Sequence, residues 1–95
     1  MTPEQEAVRG EEADRLLNNP LLKEAFQEIE SRVVAQLAQI EITKERAEYL
    51  RTILVANRKV EQYLRNVMAG GKMAALDIEH KSLMDRVRDR AKVLF

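Results

Sequence analysis

Apolar residues recur at helical spacing in three successive stretches of the chain, which predicts an all-α fold. The stretches cover residues 20–41, 44–69 and 72–95, and in each of them the spacing keeps the apolar side chains on one helix face. The periodic positions of the first two stretches are Leu22, Ala25, Phe26, Ile29, Val33, Leu37 and Ile40, then Leu50, Ile53, Leu54, Val60, Leu64, Val67 and Met68. Those of the third are Met73, Leu76, His80, Leu83, Met84, Val87, Ala91 and Leu94.

Polar and small residues between these stretches are typical of helix ends. Asn19 can cap the helix that Pro20 begins, and Thr43 can cap the next one. Gly70-Gly71 is predicted to end the second long helix, because glycine readily adopts a left-handed C-cap conformation. The short joint at residues 42–43 then makes helices 20–41 and 44–69 antiparallel neighbours in a long helical hairpin.

The first seventeen residues predict a weaker helix. Thr2 and Gln5 can form a capping box around Pro3, but the apolar residues that follow form no clean stripe and Gly10 interrupts them. Five acids crowd the segment as well: Glu4, Glu6, Glu11, Glu12 and Asp14. We therefore expect this helix to fray unless a partner holds it. Residues 1–95 together form one predicted helical domain.

The composition agrees with long helices and excludes several classes of protein. Ala, Glu, Lys, Leu and Arg supply 50 of the 95 residues, and 16 bases balance 16 acids. The chain has no cysteine, which excludes disulfides and thiolate metal sites. It has neither a membrane-length apolar run nor a basic-then-apolar leader, so we expect a cytoplasmic protein.

Few residues of the chain are candidates for catalysis, and we predict that the protein is not an enzyme and needs no cofactor. The chain lacks a glycine-rich phosphate loop and an H-E-x-x-H motif, and neither Ser31 nor Ser82 lies beside a histidine. Asp77 and His80 could form half of a metal site, but a single histidine does not complete one. We favour a structural role for His80 in the apolar stripe.

The apolar stripe after residue 72 is more than a two-helix hairpin can cover, so we expect a homo-oligomer. Asn57 occupies a core position of the second long helix, where leucine would be expected. It either borders a hydrated gap or meets a partner across an interface, as buried asparagines do in coiled coils. The candidate interface residues are Asn57, Met73, Leu76, His80, Leu83, Val87 and Leu94.

Five bases recur every seven residues and form a candidate basic ridge along one flank of the same helix: Lys44, Arg51, Arg58, Arg65 and Lys72. A ridge of this kind could bind phosphates or an acidic protein face. It could equally pair with acids of the preceding helix, for which Glu28, Glu30 and Glu41 are available. We favour the ion pairs, because the net charge is zero.

Three segments resemble a group of short helical proteins encoded among the packaging and structural genes of tailed bacteriophages. They are residues 15–26 (RLLNNPLLKEAF), 45–50 (ERAEYL) and 63–76, which includes a Gly-Lys-x-Ala-Ala motif near its end. The shared features are a leucine pair followed by Asn/Asp-Pro, a helix rich in Ala and Glu, a second long helix and the Gly-Lys-x-Ala-Ala motif after it. The resemblance covers residues 15–76. It implies a phage context and carries over no catalytic residues.

These observations favour a non-enzymatic structural or assembly protein that self-associates and docks other proteins, as a component of a bacteriophage virion or of its assembly. The alternative is a nucleic-acid-binding accessory subunit, such as a small packaging-terminase component. The basic ridge supports that alternative, whereas the balanced charge and the lack of a helix-turn-helix oppose it. A small inhibitor or antitoxin-like binder would also be helical.

Overall fold

A computed structural model of the chain describes the backbone of residues 1–94 and the side chains of residues 1–90. Over these residues the protein is all-α, as predicted, and contains three helices: α1 (Pro3–Leu17), α2 (Pro20–Leu37) and α3 (Lys44–Leu94). The shape is a rod of 80 × 24 × 19 Å. Its length is that of α3, because 51 helical residues extend about 76 Å.

Three predicted helix caps are in place. The Thr2 side chain accepts a hydrogen bond from the Gln5 amide, and the Gln5 side chain accepts one from the Thr2 amide. Asn19 caps α2 by accepting from the amide of Leu22 at 3.0 Å. Thr43 caps α3 by accepting from the amide of Arg46 at 3.1 Å. Each cap satisfies an amide that the first helical turn leaves without an intrahelical partner.

The predicted helix end at Gly70-Gly71 is wrong. The chain stays helical through both glycines, neither of which has a positive φ, and the predicted helices 44–69 and 72–95 form the single helix α3. Helix α2 ends at Leu37, earlier than the predicted residue 41, and residues 38–43 form the joint to α3.

The N-terminal helix forms over Pro3–Leu17, and its contact with the rest of the chain was not predicted from the sequence. Helix α1 packs against α3, and Gly10 and Ala13 are buried there. The contact is so close that a Cβ atom built on Gly10 would lie 2.6 Å from the Cα of Gly71. A Cβ atom on Gly71 would lie 2.5 Å from the Cα of Gly10 and 2.9 Å from the carbonyl oxygen of Glu6. The two glycines are therefore the point where the helices touch backbone to backbone, and this contact keeps α3 helical where a cap was predicted.

Helices α1 and α2 follow one another along α3. On α2, the side chain of Gln36 contacts Arg46, whereas Glu30, earlier on α2, contacts Arg58, later on α3. On α1, Gly10 meets Gly71, and Leu16 and Leu17 share a cleft with Glu61 and Arg65. Residue numbers rise along α1 and α2 where they fall along α3, so both short helices run opposite to the long one.

The core between these helices is thin. The buried hydrophobic residues of the described part of the chain are small or isolated: Ala13, Val33, Leu50 and Ala74. No large side chain there is completely buried. Stability consequently depends on close backbone packing between α1 and α3 as much as on burial of large side chains.

Substitution of Gly71 by Ala tests this close contact, with Gly70 as its matched control. The Cβ atom at Gly71 would meet backbone atoms, which cannot turn aside, and we expect the free energy of unfolding to fall by about 1–3 kcal/mol. A Cβ atom at Gly70 meets nothing within 4 Å. Gly70→Ala should therefore raise stability by about 1 kcal/mol through helix propensity alone. Urea unfolding followed by circular dichroism, at matched protein concentration, measures both; equal stability of the two variants would contradict the packing described here.

Candidate interaction surfaces

Large apolar side chains are more numerous on the surface of this protein than in its core. Apart from Met1, which precedes α1, those that are exposed lie on all three helices and in the joint before α3, where Ile40 is 100% exposed. Their positions are Met1, Val8, Leu16, Leu21, Ile29, Val34, Ile40, Tyr49, Val55, Val60, Tyr63, Met73, Leu76, Leu83, Met84 and Val87. Single exposed apolar residues are ordinary, but contiguous ones mark contact surfaces.

The C-terminal part of α3 extends beyond α1. Because Gly10 lies opposite Gly71 and the helices run in opposite directions, Pro3 at the start of α1 lies near the level of Ile78. Among the α3 residues whose side chains are described, Ile78 is the last that is partly buried, and all residues from 79 to 90 are exposed. Residues 79–94, about 24 Å of helix, are named here the α3 overhang. A lone helix of this length is only marginally stable in water.

One exposed apolar stripe begins beside α1 and continues along the overhang; we name it the outer stripe. Its members Met73, Leu76, Leu83 and Val87 are 61%, 58%, 52% and 60% exposed. At about 100° per residue, Met73 and Leu76 lie on the side of α3 nearly opposite Gly71, which faces α1. The outer stripe consists of Met73, Leu76, His80, Leu83, Met84 and Val87. It unites most of the predicted interface residues; the side chain of Leu94 lies outside the described part of the chain.

Asn57 lies elsewhere than the other predicted interface residues. Its side chain is 9% exposed, between α2 and α3, and its Nδ2 donates a hydrogen bond to the carbonyl oxygen of Phe26 at 3.2 Å. The amide therefore joins two helices of one chain, a contact that the sequence analysis did not consider beside the hydrated gap and the contact between copies. Buried polar side chains in proteins are normally satisfied in this way.

Two bases of the predicted ridge are in ion pairs. Arg58 contacts Glu30 of α2 at 2.7 Å, as the sequence suggested, and Arg65 contacts Glu61 of its own helix at 2.7 Å. The other proposed acids do not serve the ridge: Glu28 pairs with Arg32 at 2.8 Å, and Glu41 lies in the joint before α3. Lys44, Arg51 and Lys72 are exposed. The ridge is thus partly neutralised by the chain's own carboxylates.

The flank of α3 opposite the ridge carries the two tyrosines and makes contacts that the sequence did not indicate. The Arg9 guanidinium donates to the hydroxyl of Tyr63 at 3.2 Å, which ties α1 to α3. The Arg46 guanidinium lies 5.4 Å from the ring centre of Tyr49, within the range of a cation–π contact. Both rings stay more than half exposed. The seven-residue spacing of Tyr49, Ala56, Tyr63 and Gly70 was the available sequence signal for this flank.

The described residues contain no group of three or more His, Cys, Asp or Glu side chains placed to hold a metal ion. Within the same part of the chain, no helix has the length and apolar character needed to cross a membrane. The chain matches no protein-family model, no curated protein and no solved structure. Function is therefore inferred from the three exposed surfaces: the outer stripe, the basic ridge and the tyrosine flank.

Asn57→Asp tests the intrachain hydrogen bond, with Asn66→Asp as control. The aspartate has the same shape but lacks the donor, and its carboxylate would face the Phe26 carbonyl oxygen. We expect the free energy of unfolding to fall by about 1–3 kcal/mol while the mass in solution stays unchanged. Asn66 is exposed and accepts a hydrogen bond from Gln62, which aspartate can also do, so its change should stay within about 0.5 kcal/mol. A changed mass for Asn57→Asp would instead place Asn57 at a contact between copies.

Replacement of Arg51, Arg58 and Arg65 by Gln tests the ridge. We expect the wild-type protein to bind no duplex DNA at physiological salt, and the triple variant to lose about 1 kcal/mol of stability or less, the range of exposed ion pairs. Fluorescence anisotropy with labelled DNA at several salt concentrations and urea unfolding provide the two measurements. Salt-sensitive binding whose log–log slope falls by about 0.9 for each arginine removed would identify phosphate contacts instead.

Proposed function

We propose that this protein is a non-enzymatic structural or assembly protein that self-associates and docks other proteins, as a component of a bacteriophage virion or of its assembly. The observation that carries the proposal is the outer stripe, an apolar face on a helix segment that the chain itself leaves uncovered. The proposal assigns no catalytic residue and no cofactor.

Self-association follows from where the apolar surface lies. Burial of such surface contributes about 25 cal/mol per Å², and α1 and α2 use only one side of α3. A second copy presents the same stripe, and a twofold contact lets each copy cover the other. Packing between copies also supplies the tertiary support that a long lone helix lacks.

The hairpin is the unit that we propose to assemble. Helices α1 and α2 form one broken arm and α3 the continuous arm, so the chain offers separate surfaces along one rod. The outer stripe serves contacts between copies, and the tyrosine flank, which combines exposed aromatic rings with arginines, suits contacts with other proteins. Assembly in the cytoplasm of a bacterial host accords with the sequence resemblance over residues 15–76.

The alternative, a nucleic-acid-binding accessory subunit of a packaging machine, is favoured by one feature, the regular spacing of the basic ridge. Its two ion pairs weigh against it, because Glu30 and Glu61 occupy guanidinium groups that phosphates would need. The overall charge balance weighs against it as well.

Sedimentation equilibrium of the wild-type protein tests self-association. The chain mass is 11.0 kDa, and we expect at least twice that mass at micromolar concentration. Because association stabilises the folded state by mass action, the melting temperature should also rise with protein concentration. A mass of one chain across the micromolar range, with a concentration-independent melting temperature, would contradict the proposed function.

A further inference from the structure

We infer that the occupant of the outer stripe is the same stripe of a second copy, running in the opposite direction. The inference rests on the proposed self-association and adds the partner, the direction and the register. Three observations support it: which residues of the stripe can pair with one another, where the charges beside the stripe lie, and what the rest of α3 would meet in a parallel pair.

The first observation is the position of the stripe on α3. The outer face is polar at Gln62 and Asn66, becomes apolar at Ala69, and continues through the outer stripe to Val87. We place the twofold axis of an antiparallel pair midway between residues 81 and 82, so that members of the stripe pair with one another. Leu76 then lies beside Val87 of the second copy, and His80 lies beside Leu83. Helix α1 does not obstruct this contact, because it lies on the opposite side of α3.

The second observation is the charge beside the stripe. The heptad line of the basic ridge, which ends in Lys72, continues to Glu79 and Arg86 and borders the outer stripe along one edge. In an antiparallel pair of helices, equivalent edges meet. The register that sets Leu76 beside Val87 also sets Glu79 of each copy opposite Arg86 of the other. The twofold axis therefore yields two ion pairs between Glu79 and Arg86 in the register that sets Leu76 beside Val87.

The third observation concerns what a parallel pair of α3 helices would bring together. A parallel pair would set the two His80 rings against each other and would bring Glu79 to the apolar Met84. It would also keep the two α3 helices side by side towards Lys44, so that the outer-face residues Lys59 and Glu48 each met their own counterpart. Like charges in contact destabilise helix pairs. In the antiparallel pair the hairpins extend in opposite directions, with the two Lys44 residues about 110 Å apart.

A charge exchange tests the register. Glu79→Arg places two arginines together at each end of the contact, and Arg86→Glu places two glutamates together. We expect each change to raise the dissociation constant of the dimer about tenfold, and the double variant E79R/R86E to restore it to within about threefold of wild type. Asp89→Arg is the matched control: it makes the same charge change as Glu79→Arg on the side of α3 turned away from the stripe, and should leave the dissociation constant unchanged. Failure of the double variant to recover would overturn the register.

Cysteine cross-linking tests the direction, since the chain has no cysteine of its own. In the antiparallel pair, an equimolar mixture of Leu76→Cys and Val87→Cys should form a disulfide-linked dimer on mild oxidation. Neither variant alone should do so, because two equivalent positions lie about 17 Å apart along the axis, beyond disulfide reach. Both substituted side chains are exposed, so the folded chain is preserved, which circular dichroism verifies.

The remaining outcomes separate this inference from the proposed function. Cross-linking of each variant with itself would show parallel pairing and overturn the inference. No cross-linking in a protein that sediments as a dimer would place self-association on another surface, which overturns the inference but leaves the proposed function intact. A wild-type monomer at micromolar concentration would overturn both.

Discussion

The backbone contact between Gly10 and Gly71 is the constraint on which the rest of the structure depends. Two helices approach this closely only where neither has a side chain at the crossing, and here the distances leave no room for a Cβ atom on either residue. The contact fixes the position of α1 along α3. Its close packing contributes stability that a chain with few large buried residues does not gain from burial. It also decides that the two adjacent glycines lie inside a helix and do not end one.

Continuity of α3 has consequences for every exposed surface of the protein. If the helix ended at residue 69, as predicted, it would carry the basic ridge. A separate helix after residue 71 could then fold back and cover its apolar stripe against the hairpin. With one straight helix of 51 residues, that stripe cannot return to cover the chain that carries it. The apolar surface from Met73 onward is therefore presented at a fixed distance from the joint at the other end of the rod. Rigid presentation lowers the ordering cost of binding, which suits a protein whose proposed role is assembly.

Sequence patterns that span a few residues were sufficient to predict where the helices begin, because helix starts depend on local interactions. The helix starts followed from Thr2, Asn19 and Thr43, because a cap depends on neighbours within three residues. The periodicity placed the outer stripe on one helix face, and its exposure followed because a two-helix hairpin has too little surface to cover it. Local rules failed at Gly71, because glycine serves equally as a helix cap and as a crossing point, and Gly10, which decides between them, is 61 positions away in sequence.

Helix α1 and Asn57 are two further cases in which local sequence patterns could not predict a tertiary contact. The seam of α1 contains Ala7, Gly10 and Ala13, and hydrophobicity alone ranks such residues as a weak helix although their small size is what permits the close contact with α3. Asn57 was correctly identified as a polar residue at a core position, but its partner is a backbone carbonyl oxygen of Phe26. Every residue has a carbonyl oxygen, so no pattern of residue types in α2 could have revealed which one would accept the bond.

The seven-residue line of charges on α3 connects the intrachain contacts with the proposed contact between copies. Where α2 accompanies α3, Arg58 of that line is neutralised by a carboxylate of the same chain. Beyond Ile78 no other helix of the described chain lies beside α3, and at this point the line changes sign at Glu79 before returning to Arg86. A line that remained wholly basic would repel its own counterpart in an antiparallel pair, whereas one acid followed by one base complements itself across a twofold axis. In the proposed antiparallel pair, the change of sign therefore falls where the second copy supplies the opposite charge.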